Sequence, residues 1–150
     1  MNPLQYPFDP DQIIRGKKAL RRELMSQDVQ RLKKKIAVLG GSTTSDIVKI
    51  LELFLLDAGI EPSFYESEYG QYFQDGMFPP KELLEFSPDL VFIHTTGRNI
   101  SSWPALSDSP EQVEEKLRAQ TGRFEAMWEN IKKTFSCPII QNNFEKPYFR

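Results

Sequence analysis

The stretch KIAVLGGSTTSDIVKILELFLLDAG (residues 35–59) decides the fold. Its first part, KIAVLG (35–40), is a short continuous apolar run that ends in glycine, as a strand buried on both faces does. Its second half changes period. Ile47, Ile50, Leu51, Phe54, Leu55 and Ala58 recur at helical spacing, and Val48, Leu53 and Leu56 widen the apolar face. Gly59 supplies the stop. A buried strand, a tight glycine turn and a mostly apolar helix over about 45–58 are the opening unit of an α/β domain.

The same alternation continues in both directions. Residues 61–68 read as a second strand, 80–86 as a short helix, 89–96 (DLVFIHTT) as the clearest strand, and 137–141 (CPIIQ) as a fourth. Between the last two lies a long helix, started by Ser109, Pro110 and Gln112 and running to about Phe135, with Val113, Leu117, Phe124, Met127, Trp128 and Ile131 on its inner side. The stretches 69–80 and 97–109 read as loops. Upstream, Asp9, Pro10 and Gln12 open an additional helix over 9–26 with a narrow stripe of Ile13, Ala19, Leu20 and Leu24. The order β-α-β-α-β-α-β after this leading helix predicts a parallel sheet with helices on both faces.

Composition narrows the function. The chain has 150 residues, which suits one domain, with 39% hydrophobic and 27% charged residues. A net charge of −2 argues against a general nucleic-acid binder. Charge is nevertheless uneven: from Arg15 to Lys35 there are nine Lys/Arg against Glu23 and Asp28, a basic segment of the kind that steers acidic partners or simply faces solvent. Cys137 is the single cysteine, so neither a disulfide nor a cysteine-held zinc is expected, and a reducing cytoplasm is the expected compartment. No apolar run is long enough to span a membrane, and the N-terminus lacks the basic and apolar regions of a signal peptide.

Sites in open α/β sheets form at the carboxyl ends of strands. Here those ends read GGSTT (40–44), ESEYGQY (66–72), HTTGRN (94–99) and QNNF (141–144). GGSTT lacks the lysine of a P-loop and the spacing of a dinucleotide fingerprint. It places Ser42 where a helix opens and unpaired N–H groups favour negative charge, so Ser42 reads as a nucleophile, an anion ligand or, with Thr43 and Thr44, a helix cap. Gly97 and Asn99 offer backbone approach and an amide donor, and Gly70 a turn or a ligand contact. His94, the one histidine, reads as a hydrogen-bonded structural group on a strand. Cys137, Trp103 and Trp128 read as packing residues.

The segments KKKIAVLGGSTTSDIVKILELFLLDAGIEPSFYESEYGQY, FSPDLVFIHTTGRNI and CPIIQNNF, with the opening YPFDPDQIIRGKKALRREL, resemble the N-terminal region of FkbH-like proteins, in group IIIC of the haloacid dehalogenase (HAD) superfamily. The resemblance implies a three-layer, flavodoxin-like sandwich of the SGNH/GDSL-hydrolase type over 35–150, C-terminally incomplete, preceded by a helical extension over 1–34 and followed in the parent by a HAD catalytic domain. It implies Ser42 at the nucleophile position, with Gly41, Thr43, Gly70, Gly97 and Asn99 lining an oxyanion or anion site. Gly41 stands where an aspartate is usual, and the D-x-x-H that supplies a base is absent; His94 precedes Asn99 and so falls in the wrong order for it. No D-x-D-x-T/V motif occurs, so Mg²⁺ is expected in the HAD domain and no cofactor or metal in this segment. The implied task is accessory recognition of a small phosphorylated or acyl substrate, or of an acyl carrier protein docked on the basic segment. A Ser42-dependent esterase or acyltransferase and a non-catalytic anion-binding scaffold are the alternatives.

Overall fold

The computed structural model describes residues 2–145. Four strands form one parallel sheet in the order β2-β1-β3-β4: β1 (Leu32–Gly40), β2 (Ile60–Glu66), β3 (Leu90–His94) and β4 (Ile139–Gln141). The central strand β1 is fully buried from Ile36 to Gly40, where the sequence is continuously apolar. Its alternate residues feed two layers. Ala37 and Leu39, with Val91 and Ile93 of β3, pack against α3 (Tyr72–Met77), α4 (Lys81–Phe86) and α5 (Pro110–Phe135) through Tyr72, Leu83, Phe124, Met127 and Ile131. Ile36 and Val38 face the other way, against Val48 and Leu55 of α2 (Ser45–Asp57), with Phe64, Leu90 and Phe92. The flavodoxin-like α/β reading of the sequence is therefore the fold.

Local rules set the helix ends. Asp9 accepts from Gln12 N to cap α1 (Pro10–Ser26), and Ser109 and Gln112 form a reciprocal capping box on α5. Gly59 follows α2 with φ +80°, a conformation other residues rarely adopt. α1 forms a further layer on the outer side of α2, where Leu4, Ile13 and Leu24 meet Leu53 and Leu56 in a small core of their own.

Three elements depart from the sequence reading. β1 begins at Leu32 instead of Lys35, so Lys33–Lys35 belong to the sheet, paired with β2. The basic run of 15–35 is thus split between a helix and a strand. Pro62, which the sequence places at the start of the second strand, lies inside β2 (Ile60–Glu66), which is tolerated because β2 is an edge strand. The stretch 69–80, expected as loop, contains α3. Tyr72 is buried there, and Gly76 lies so close to the Met127 side chain that a Cβ would overlap it. Tertiary packing against α5 thus makes a helix from a segment whose two glycines and two prolines signal a loop.

Candidate functional site at the strand ends

The strand order reverses between β1 and β3: β1 leads through α2 to one side, and β3 leads through α5 to the other. Their carboxyl ends border the crevice where ligands bind in such sheets. Register pairs Gly40 with His94, and Gly41 N–H extends the ladder by donating to His94 O at 2.8 Å. Two residues beyond Gly40, Ser42 Oγ lies 3.2 Å from His94 Nδ1. With the His94 proton on Nε2, Nδ1 accepts the serine hydroxyl hydrogen. His94 is therefore not only a strand residue: the sheet brings together a hydroxyl and a candidate base that lie 52 residues apart in the chain. Sequence order alone set His94 aside; the signal that finds it is its place at the end of the strand next to β1.

Asn99 holds the two strand ends together. It sits in a single 3₁₀ turn, Gly97–Asn99, closed by a capping box with Thr96. Asn99 Oδ1 accepts from Thr96 N at 2.8 Å, and Asn99 Nδ2 donates to Gly41 O at 3.0 Å. One amide hydrogen of the expected oxyanion donor is thus committed to the backbone of the other wall, which leaves one for a ligand. The same contact explains Gly41. A Cβ at position 41 would overlap the Asn99 side chain, so an aspartate there is incompatible with this placement of Asn99.

The remaining strand-end residues divide clearly. Thr44 occupies the position before α2 but makes no capping bond; its buried hydroxyl instead meets Glu66 Oε2 at 3.1 Å, which ties the helix start to β2. Thr43 is exposed and makes no side-chain hydrogen bond among the described residues. Gly70 is an exposed turn glycine with φ +75°, and no hydrogen bond joins it to Ser42, His94 or Asn99 among the described residues. Gly97 N–H donates to Glu145 Oε1 at 3.0 Å, so the amide expected to meet a ligand anion meets the chain's own carboxylate.

A second network stiffens the floor of the crevice. Thr95 is fully buried; its backbone exchanges hydrogen bonds with the Asn142 amide at 2.9 and 2.7 Å, and its hydroxyl accepts from Gln141 Nε2. Gln141 Oε1 in turn accepts from Trp128 Nε1 at 2.7 Å. Trp128 therefore has the packing role expected of it, with its indole N–H satisfied, as buried tryptophans require. Cys137 packs against the same core, and burial pushes its thiol up.

No family model matches this sequence, and no curated protein matches it either. The fold is similar to that of a solved structure, the N-terminal part of the protein BF1531 from Bacteroides fragilis, which contains a phosphatase domain complexed with Mg. The similarity has a TM-score of 0.68 at 20% identity and covers 88% of this chain. The chain spans about a third, 34%, of the length of that structure.

Proposed function

We propose that this chain serves as the accessory α/β domain of a larger phosphatase-type protein of the FkbH-like, HAD-IIIC kind, and that its strand-end crevice recognises that protein's small acid substrate or its acyl carrier. The observation that carries the reading is the convergence of Ser42, His94 and Asn99, from β1, β3 and the 3₁₀ turn, on one crevice at the switch point of the sheet. The likeness to the N-terminal part of a phosphatase-containing protein supports the parent. Magnesium, in this reading, belongs to the phosphatase domain, whose D-x-D-x-T/V motif this sequence lacks.

Carrier docking falls to part of α1. Lys17 and Arg21 are engaged by Asp46 and Glu52 of α2 at 2.8 and 2.9 Å, whereas Arg15, Lys18 and Arg22 are exposed and share one helix face at i, i+3 and i+7. A thermal-shift series with phosphorylated three-carbon acids and with an acyl carrier protein at low salt tests the reading. A rise in melting temperature that Asn99→Ala abolishes, or that charge reversal at Arg15, Lys18 and Arg22 abolishes, supports it. An unchanged melting temperature with every ligand at millimolar concentration overturns it.

A second reading has its own observation. The 3.2 Å contact between Ser42 Oγ and His94 Nδ1 is within reach of proton transfer, which favours an esterase or acyltransferase centred on Ser42. Labelling of the chain by a fluorophosphonate, lost in Ser42→Ala, is its signature.

A further inference from the structure

The two edges of the sheet are built differently. At the β2 edge, the register with β1 turns the backbone groups of Glu61, Ser63 and Tyr65 toward β1 and those of Pro62 and Phe64 toward the open side. Pro62 has no N–H to offer there, so that edge is blunted against a further strand. β4 carries no such guard. Val91 N–H donates to Pro138 O and Asn142 N–H to Ile93 O, so the even-numbered residues of β4 face β3. The N–H and C=O groups of Ile139 and Gln141 therefore point to the open side, and no hydrogen bond joins them among the described residues. Beyond β4 the described chain turns inward over the end of β3, with Asn142 on Thr95 and Phe144 on Phe124, and does not cover this edge.

The surface around the β4 edge matches itself. Ile140, between the two outward-pointing residues, is 53% exposed. Ile139 and Gln141 turn to the opposite face of the sheet, where with Trp128 and Lys132 of α5 they line a hollow of about 250 Å³. Glu125, Trp128 and Lys132 share this flank of α5 at i, i+3 and i+7. Glu125 and Lys132 are exposed, and neither is in an ion pair among the described residues. A second copy related by a two-fold axis through Ile140 runs antiparallel to the first. It sets Ile139 of each chain against Gln141 of the other, in pairs that exchange both of their backbone hydrogen bonds. Ile140 then meets its own counterpart in the closely spaced kind of cross-strand pair. In the helical layer the same symmetry runs the α5 flanks in opposite directions, with Glu125 of one chain beside Lys132 of the other on either side of Trp128.

We propose that the β4 edge is a homodimer interface, at which two copies of the chain join their four-stranded sheets antiparallel, β4 to β4, into one continuous sheet. The partner is a second copy because the edge supplies what it asks for: donors opposite acceptors, an apolar residue on the axis, and an acid and a base at matched steps from it. β4 is only three residues long, so the backbone pairing is brief and the dimer is a weak one. The antiparallel arrangement sends the carboxyl ends of the two sets of strands to opposite ends of the joined sheet. Ser42, His94 and Asn99 are therefore not covered, and the proposal stands or falls independently of the reading of that site.

The test is analytical ultracentrifugation of the chain from about 1 µM to about 1 mM, with amide hydrogen exchange measured at both ends of that range. A monomer–dimer equilibrium is expected, in which the Ile139 and Gln141 amides are protected at the high concentration and exchange freely at the low one. Ile140→Lys sets like charges face to face on the axis and weakens the dimer by about tenfold or more, while the circular dichroism of the chain is unchanged because the residue is exposed. Glu125→Lys turns both ion pairs into repulsions and weakens the dimer by about tenfold. Glu125→Lys combined with Lys132→Glu rebuilds the pairs in reverse and restores it, which a loss of folding cannot do. A chain that stays monomeric throughout the range overturns the proposal and leaves the edge to a different strand. A dimer in which the Ile139 and Gln141 amides exchange as in the monomer also overturns it, as does a double variant that associates no better than Glu125→Lys alone.

Discussion

Two regions of the molecule differ in kind. One lies between the N-terminal segment and α1, has a volume of about 910 Å³, and is lined by residues such as Leu4, Arg15, Gly16, Ala19 and Glu23. The other is the cluster of polar residues where β1 and β3 end side by side. The first is roomy, but its polar side chains point to no shared chemistry. In the second, each strand end is fixed by hydrogen bonds to another element: Asn99 to Gly41, Thr44 to Glu66, Thr95 to Asn142. Volume alone is weak evidence for a site; convergent donors and acceptors on rigid elements are stronger. The α1 groove reads as the imperfect seam of an added layer, and the crevice as the place where the fold spends its polar groups.

Reactivity breaks this comparison most sharply. If Ser42 is a nucleophile served by His94, fluorophosphonate labelling of the chain disappears in Ser42→Ala and slows roughly 100-fold in His94→Gln, the lower range for loss of a general base. Arg15→Ala, in the α1 groove, leaves the labelling rate unchanged. Time-resolved mass spectrometry measures all three. A wild-type chain that resists the probe makes Ser42 a ligand-binding hydroxyl and leaves the recognition reading standing.

Glycine replacements come next and are expected to have opposite signs. Gly41→Ala forces a Cβ into the Asn99 side chain, so about 1–3 kcal/mol of stability is lost to overpacking. Asn99→Ala removes the partner of Gly41 O and of Thr96 N together, with a loss of about 1–3 kcal/mol where those groups stay buried. Gly16→Ala in the α1 groove meets only Leu20 carbons at 3.7 and 3.8 Å, which is ordinary contact, and gains about 0.5–1 kcal/mol of helix propensity. Urea midpoints of the three variants measure the contrast. A neutral Gly41→Ala would mean that the two strand ends are not clamped as described.

Much of this architecture is legible in the sequence, for physical reasons that also mark where legibility stops. The apolar run of Ile36–Leu39 and the helical period after Ser45 are local signals, and so is the capping box of Ser109 and Gln112; each became the element it predicts. The convergence of strand-end segments follows from topology. The pairing of Ser42 with His94 does not, because it depends on the register Gly40↔His94 across a sheet. Gly41 looked like a missing aspartate and is a steric requirement of Asn99, a fact that lies 58 residues away in the chain. α3 was hidden for a similar reason: its aromatic residues gain their helix from α5, not from their own propensity.

The smallest expected effects are electrostatic, and they run in opposite directions in the two regions. On the α1 side, a hydrogen bond from Lys17, aided by the charges of Lys17 and Lys49, lowers the Asp46 carboxyl from its ordinary 3.8. A carboxyl lowered in the folded state adds stability at pH above 3.8, and that stability fades as pH falls through the folded value. Beside the crevice layer, burial raises the Asp75 carboxyl from 3.8, although Tyr65 donates to it at 3.3 Å and pulls it partly back. The sign reverses: the folded state binds the proton more tightly, so stability is greatest below 3.8 and declines as pH rises through the raised value. Asp46→Asn should therefore lower the urea midpoint at neutral pH and leave it unchanged in acid. Asp75→Asn keeps an acceptor for Tyr65 and should raise the neutral midpoint relative to wild type, with the two converging in acid. Both shifts are small, because Asp46 is open to solvent and Asp75 only partly buried. Midpoints of both variants that move in the same direction between acid and neutral pH would show that the α1 seam and the crevice layer respond to charge alike.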